Sequence, residues 1–163
     1  MPKHELISDS EVFGKCYCEA VTFRIESDTP ILLNGYCQCS DCRRAHAANL
    51  YQYAYILEKQ FSIESGEKSL KWHVKDPSLG EFFRRYFCSE CGTRTHNFCV
   101  VEFGGVAERL IGVFPSLFED QDIAKGPAWA PKEHINSGES ILDLACLHDG
   151  LPRYENVPTR PAL

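Results

Sequence analysis

Three tight groups of cysteines set the strongest limit on what this chain can fold into. They are Cys16-Tyr17-Cys18, Cys37-Gln38-Cys39-Ser40-Asp41-Cys42 and Cys88-Ser89-Glu90-Cys91-Gly92, and they hold seven of the nine cysteines among 163 residues. An odd total cannot close entirely into intramolecular disulfides. The opening residues, MPKHELISDSEVFGK, contain no apolar export run, and no apolar stretch approaches the ~18 residues of a membrane span. A cysteine-rich chain without an export signal reads first as metal-binding or catalytic, and is expected in the cytoplasm.

The spacing has a direct chemical reading. In a strand, residues i and i+2 share a face, so Cys16 and Cys18 can reach one ion. A C-x-x-C turn brings two sulfurs to one Zn²⁺ at about 2.3 Å each, and Gly92 suits the left-handed backbone of such a turn. The simplest partition is two sites. Cys16, Cys18, Cys88 and Cys91 form a closed four-thiolate site, which is structural. Cys37, Cys39 and Cys42 supply three thiolates and leave a fourth position open, as in a catalytic zinc. Two Zn²⁺ per chain are therefore expected, the second the more labile. The competing readings are a redox dithiol at Cys88 and Cys91, and a redox-active or fully closed cluster at the triplet. A thioredoxin-type dithiol needs a βαβ context, which is missing around Cys88.

The rest of the chain reads as β structure. Val21, Phe23 and Ile25 alternate with polar residues, and further strands are expected at 31–37, 50–57, 61–64, 69–74, 81–88, 93–101 and 106–113. Ser40 to Ala48 predicts one short helix with Ser40 as its cap. Tyr51, Tyr53 and Tyr55 form an aromatic stripe, read as a packed sheet face. One domain is expected over 1–163, with a core over about 12–155 and an extended tail 156–163. Seventeen basic against 23 acidic residues give a net charge of −6, which argues against nucleic acid and anionic membranes as partners.

In this order, the groups resemble the glutathione-dependent formaldehyde-activating enzyme family, also called the centromere protein V family. The resemblance runs through nearly the whole chain. It is sharpest at Gly14 to Val21, Cys37 to Arg44 and Arg85 to Thr93, with weaker support at Pro131 to Ile135 and Asp149 to Tyr154. It implies a mainly β fold, the β-tent of several coiled antiparallel sheets with short helices. It also implies a structural zinc at Cys16, Cys18, Cys88 and Cys91 and a second zinc at Cys37, Cys39 and Cys42. The implied activity joins glutathione and formaldehyde as S-hydroxymethylglutathione, a reversible carbon–sulfur lyase reaction. Three positions depart from the family pattern: Gln38 where His is common, His46 where a small residue is usual, and Asn136 where an aromatic is usual.

These readings assign catalysis to Cys37, Cys39 and Cys42, acting on glutathione or a similar thiol and a small aldehyde. Arg43 and Arg44 are candidates to clamp a substrate carboxylate, and His46, one helical turn past Cys42, is a candidate acid/base or ligand. Arg84, Arg85 and Arg94 read as exposed strand arginines. His96 reads as an ordinary histidine, and Cys99 and Cys146 as buried small side chains. The alternatives to an enzyme are a non-catalytic zinc module that binds a protein partner and a redox-sensing zinc switch.

Overall fold

The computed structural model describes residues 6–161, so Met1 to Glu5 and the last two residues of the expected tail lie outside the described residues. Ten strands and two short helices follow in chain order: β1 (Val12–Lys15), β2 (Thr22–Ile25), β3 (Leu33–Cys37), α1 (Ser40–His46), β4 (Tyr51–Leu57), β5 (Phe61–Ser65), β6 (Leu70–His73), β7 (Phe83–Cys88), β8 (Arg94–Phe103), β9 (Val106–Val113), α2 (Gln121–Ala124) and β10 (His134–Ile135). The chain is mainly β, as expected. It forms a three-stranded sheet, β1-β2-β5, and a seven-stranded sheet, β10-β3-β4-β9-β8-β7-β6. Pairing is antiparallel throughout except where β10 runs parallel to β3.

Alternation along the strands sorts side chains between two faces of the large sheet. Ala54, Ile56, Phe98, Ile111 and Val113 face the small sheet and meet Val12, Phe23 and Ile25 there, with Phe118 and Trp129 closing the layer. These are among the most buried side chains, and the valine, isoleucine and phenylalanine side chains each contribute about 1.5–3 kcal/mol by leaving water. The opposite face carries Cys37, Tyr51, Tyr53 and Tyr55 from β3 and β4, and Cys99 and Val101 from β8.

Two glycines let the tyrosines lie flat on that face. Gly35 is paired across from Tyr53, and Gly112 across from Tyr55. A Cβ at Gly35 would meet the Tyr53 hydroxyl at 2.7 Å, and one at Gly112 would meet the Tyr55 ring at 2.7 Å. The stripe thus reads correctly as one sheet face, but that face is a cleft wall as well as packing.

Some local expectations are corrected. Strand β1 ends at Lys15, and Cys16 to Glu19 make a turn in which the Glu19 N–H donates to the Cys16 carbonyl at 3.0 Å. Turn geometry, not strand alternation, brings Cys16 and Cys18 together. Helix α1 is capped by Cys39 rather than Ser40: its sulfur accepts the Cys42 N–H at 3.4 Å. A sulfur carrying negative charge is favoured at that end of a helix, where N–H groups lack partners. Strand β10 was not apparent from sequence, because two residues show no periodicity. Cys99 is buried but Cys146 is exposed, on a surface turn beside Asp143.

His96 is 4% exposed and stacks on Tyr86 at 4.3 Å. Burial lowers its pKa to about 3. The unfolded chain therefore takes up a proton near pH ~6.5 that the folded chain refuses. This contribution to stability is complete above about pH 6.5 and falls by about 1.4 kcal/mol per pH unit as pH drops towards 3. Urea unfolding of His96→Phe is expected to show a shallower loss of stability between about pH 6 and 5 than the native chain. Gly112→Ala is expected to cost about 1–3 kcal/mol in the same assay at neutral pH, because the added methyl meets the Tyr55 ring.

Candidate metal centres and cleft

The sulfurs of Cys16, Cys18, Cys88 and Cys91 all lie within 4.8 Å of one another. The Cys16–Cys18 and Cys18–Cys88 separations are 3.6 and 3.8 Å. Four thiolates at ~2.3 Å from one tetrahedral Zn²⁺ stand about 3.8 Å apart, so the spacing fits that ion. Donors from the chain surround the cluster. The Val21 N–H donates to Cys16 at 3.3 Å. The Thr93 side chain and backbone hydrogen-bond to Cys91 and lower its thiol to about 6. The Tyr17 N–H donates to the Thr93 hydroxyl at 3.2 Å, which ties the two cysteine turns together.

The sulfurs of Cys37, Cys39 and Cys42 form a second group within the same 4.8 Å limit. Hydrogen bonds from Cys37 and Cys42, and then backbone N–H groups at the start of α1, hold the Cys39 thiol well below its ordinary value. The same contacts with its cysteine neighbours, together with burial, push Cys42 up, and Cys37 also rises because of Cys39. Three thiol groups gathered within reach of one ion are a donor set that suits zinc.

This cluster sits on a cleft of about 850 Å³, which Cys37, Cys39 and Cys42 line together with the tyrosine stripe, Leu33, Phe83 and Val101. The four-sulfur group does not line it. Asn136, in left-handed backbone at φ 53°, donates from its side chain to Cys37 at 3.4 Å. Asn tolerates that conformation better than an aromatic residue would. Burial, followed by the charges of Cys42 and Cys37, raises the Tyr51 phenol well above its usual range, and its oxygen accepts from the Asn97 amide at 2.9 Å. Tyr53 donates to Glu133 at 2.5 Å, and Arg160 from the tail pairs with the same carboxylate at 2.5 Å. Val157 and Arg160 form part of the cleft wall, so the expected extended tail lies across the site.

The residues proposed from sequence to bind substrate are divided among different tasks. Arg43 donates to the carbonyls of Gln38 and Glu139, both at 3.0 Å, and does not line the cleft. His46 stacks on Tyr51 at 4.1 Å with the rings 17° apart, behind the cleft wall. Burial, and next the charges of Arg85 and Arg94, lower it to about 4, so it is neutral at physiological pH. Arg44 lines a smaller hollow beside the cleft.

Arg85 was expected to be exposed and is not. It is 7% exposed, its guanidinium lies over the Phe83 ring at 4.3 Å, and it approaches Cys42 at 3.9 Å. Phe83 and Arg85 share one face of β7, and only the pairing of β7 with β8 aims that face at the cysteines. A buried chain behind the triplet was also missed. The Gln38 amide meets His134 Nδ1 at 2.8 Å, and His134 Nε2 meets Asp149 at 2.8 Å. Both Gln38 and His134 are fully buried.

A mainly β scaffold that gathers one closed and one half-open cysteine cluster defines a class of proteins able to hold metal on thiolates. Comparison with known proteins makes the class specific. The sequence model of the glutathione-dependent formaldehyde-activating enzyme family matches residues 11–137, and the chain belongs to this family. Among solved structures it is similar to the crystal structure of a Rhodobacter sphaeroides protein, at 19% identity and a TM-score of 0.49, covering 86% of this chain and 98% of that one. No functionally curated protein matches.

The two clusters are expected to respond differently to substitution. Cys88→Ser should abolish the cooperative fold, since structural zinc in small domains contributes about 10 kcal/mol or more. Cys39→Ser should keep the native circular dichroism spectrum and a cooperative melt. Equal loss of structure in both variants would contradict the division between closed and open sites.

Proposed function

We propose that the chain is a zinc-dependent carbon–sulfur lyase-type enzyme acting on the adduct of a small aldehyde with glutathione or a similar thiol. The observation that carries this reading is the placement of the two clusters. The three-sulfur group opens onto the cleft, and the four-sulfur group stands away from it. Family membership supports the same chemistry. The reading treats 1–163 as a single domain with its core over about 12–155. It also places the chain in the cytoplasm, where thiols stay reduced. No helix among the described residues is long and apolar enough to cross a membrane.

In the synthetic direction the thiol sulfur forms a bond to the aldehyde carbon, the carbonyl π bond opens, and the thiol proton ends on oxygen. Zinc held by Cys37, Cys39 and Cys42 supplies, when bound, a Lewis acid that favours the thiolate of an incoming thiol. The chain's own groups do the rest. Asn136 and Arg85 donate to Cys37 and Cys42 and damp their charge. Leu33, Val101 and the tyrosine rings keep part of the cleft apolar. Tyr53 is kept protonated by burial and by the hydrogen bond it donates to Glu133, so that stretch of the cleft wall stays uncharged. Holding thiol and aldehyde together removes much of the entropic barrier.

Elemental analysis of protein purified without chelator should find two zinc ions per chain. Exchange NMR of glutathione with formaldehyde should then show faster formation and cleavage of the S-hydroxymethyl adduct, lost in Cys39→Ser. A protein with both sites loaded and no acceleration would belong with the non-catalytic modules instead.

A further inference from the structure

Beside the cysteine cleft lies a second hollow of about 310 Å³, lined by Asp41, Arg44, Ala45, His73, Lys75, Arg85 and Arg94. It shares Asp41, Lys75 and Arg85 with the cleft wall, so the two spaces adjoin. The charge here is unusual for a chain of net charge −6. Lys75 is matched by Asp41 at 2.9 Å. Among the described residues, Arg44, Arg85 and Arg94 have no carboxylate partner.

The hydrogen-bond inventory is also incomplete in one direction. Arg85 is more than nine-tenths buried, yet its Nε has no acceptor. Arg94 uses its Nε on the Ala45 carbonyl at 3.1 Å, and one terminal nitrogen is buried with no acceptor. Buried guanidinium N–H groups without acceptors carry a cost that an anion would remove, and a guanidinium fork matches a carboxylate in particular. The Arg85 contact to Cys42 at 3.9 Å places this hollow within a few bonds of the triplet.

We propose that the hollow formed by Arg44, Arg85 and Arg94 is a carboxylate-binding subsite, and that the thiol taken by this protein carries a carboxylate a few bonds from its sulfur. The second half rests on the thiol-adduct reading above; the first half stands on the arginines alone. The clamp is thereby assigned to strands β7 and β8 and to Arg44, not to Arg43. Arg94 and Arg44 set which thiol is preferred, and Arg85 joins the subsite to the metal ligands.

The test is calorimetric titration of the zinc-loaded protein with 3-mercaptopropionate, its neutral methyl ester, and propionate. The acid should bind about tenfold or more tightly than the ester, the usual scale of one charge-assisted contact. Arg94→Gln should bring the two thiols close to parity without weakening the ester, while zinc content stays native. Arg44→Gln, at an exposed position, gives a second variant should the first disturb folding. Equal binding of acid and ester to the native protein would overturn the subsite and leave the thiol reading intact. A preference for the acid that neither variant reduces would also overturn it. Propionate binding as tightly as the mercapto acid, and lost in Arg94→Gln, would keep the anion subsite and sink the thiol reading.

Discussion

The crowding of cysteine sulfurs into two clusters, each with the spacing one metal ion could bridge, is the constraint on which the rest of this structure depends. Seven cysteines are drawn into two clusters whose sulfurs stand within 4.8 Å of each other. No such cluster is stable as a set of bare thiolates, and protonating them leaves poor hydrogen-bond donors in place of strong metal bonds. The four-sulfur group joins the turn after β1, in the small sheet, to the end of β7, in the large one. It closes a loop of 70 residues between Cys18 and Cys88. The apolar layer between the sheets, which includes Phe23 and Trp129, packs the same two sheets together.

The second cluster uses the same chemistry for a different end. Its three sulfurs come from β3, the cap of α1 and the first turn of that helix. The helix start supplies N–H groups that favour charge on Cys39, and the parallel pairing of β10 on β3 brings Asn136 to Cys37. Gly35 and Gly112 clear room for Tyr53 and Tyr55, so the sheet face beside the cysteine triplet becomes a cleft and not a closed core. The closed cluster thus bridges the two sheets, and the open one faces a cavity on the large sheet, with different strands and turns supplying each.

The three positions that read from sequence as departures from the family pattern find local partners. Gln38 reaches His134, and through it Asp149. His46 fills a slot between Tyr51 and Phe114. Asn136 donates a hydrogen bond to the Cys37 sulfur. The first and third act next to the triplet cysteines, and the second supports the cleft wall from behind. They tune the surroundings of the triplet and leave the cysteine framework unaltered.

Cysteine spacing by itself determined which sulfurs meet within each turn, because sulfurs two or three residues apart can share one turn; that Cys16 and Cys18 meet Cys88 and Cys91 across 70 residues is the work of the fold. Alternation of Val21, Phe23 and Ile25, and of the tyrosines, determined the strands, because a period of two leaves a clear trace. What only the tertiary structure decided is which faces meet. Arg85 reads as a solvated strand arginine until β7 pairs with β8 and turns it towards Cys42. His134 and Asp149 lie 96 and 111 residues from Gln38, too far for any local pattern to link them. The tail enters the cleft wall through the pairing of Arg160 with Glu133, a contact across 27 residues that no periodicity encodes. Local spacing fixes what a turn or a strand can hold; the environment of the site depends on long-range pairing, and that exists only once the sheets have closed.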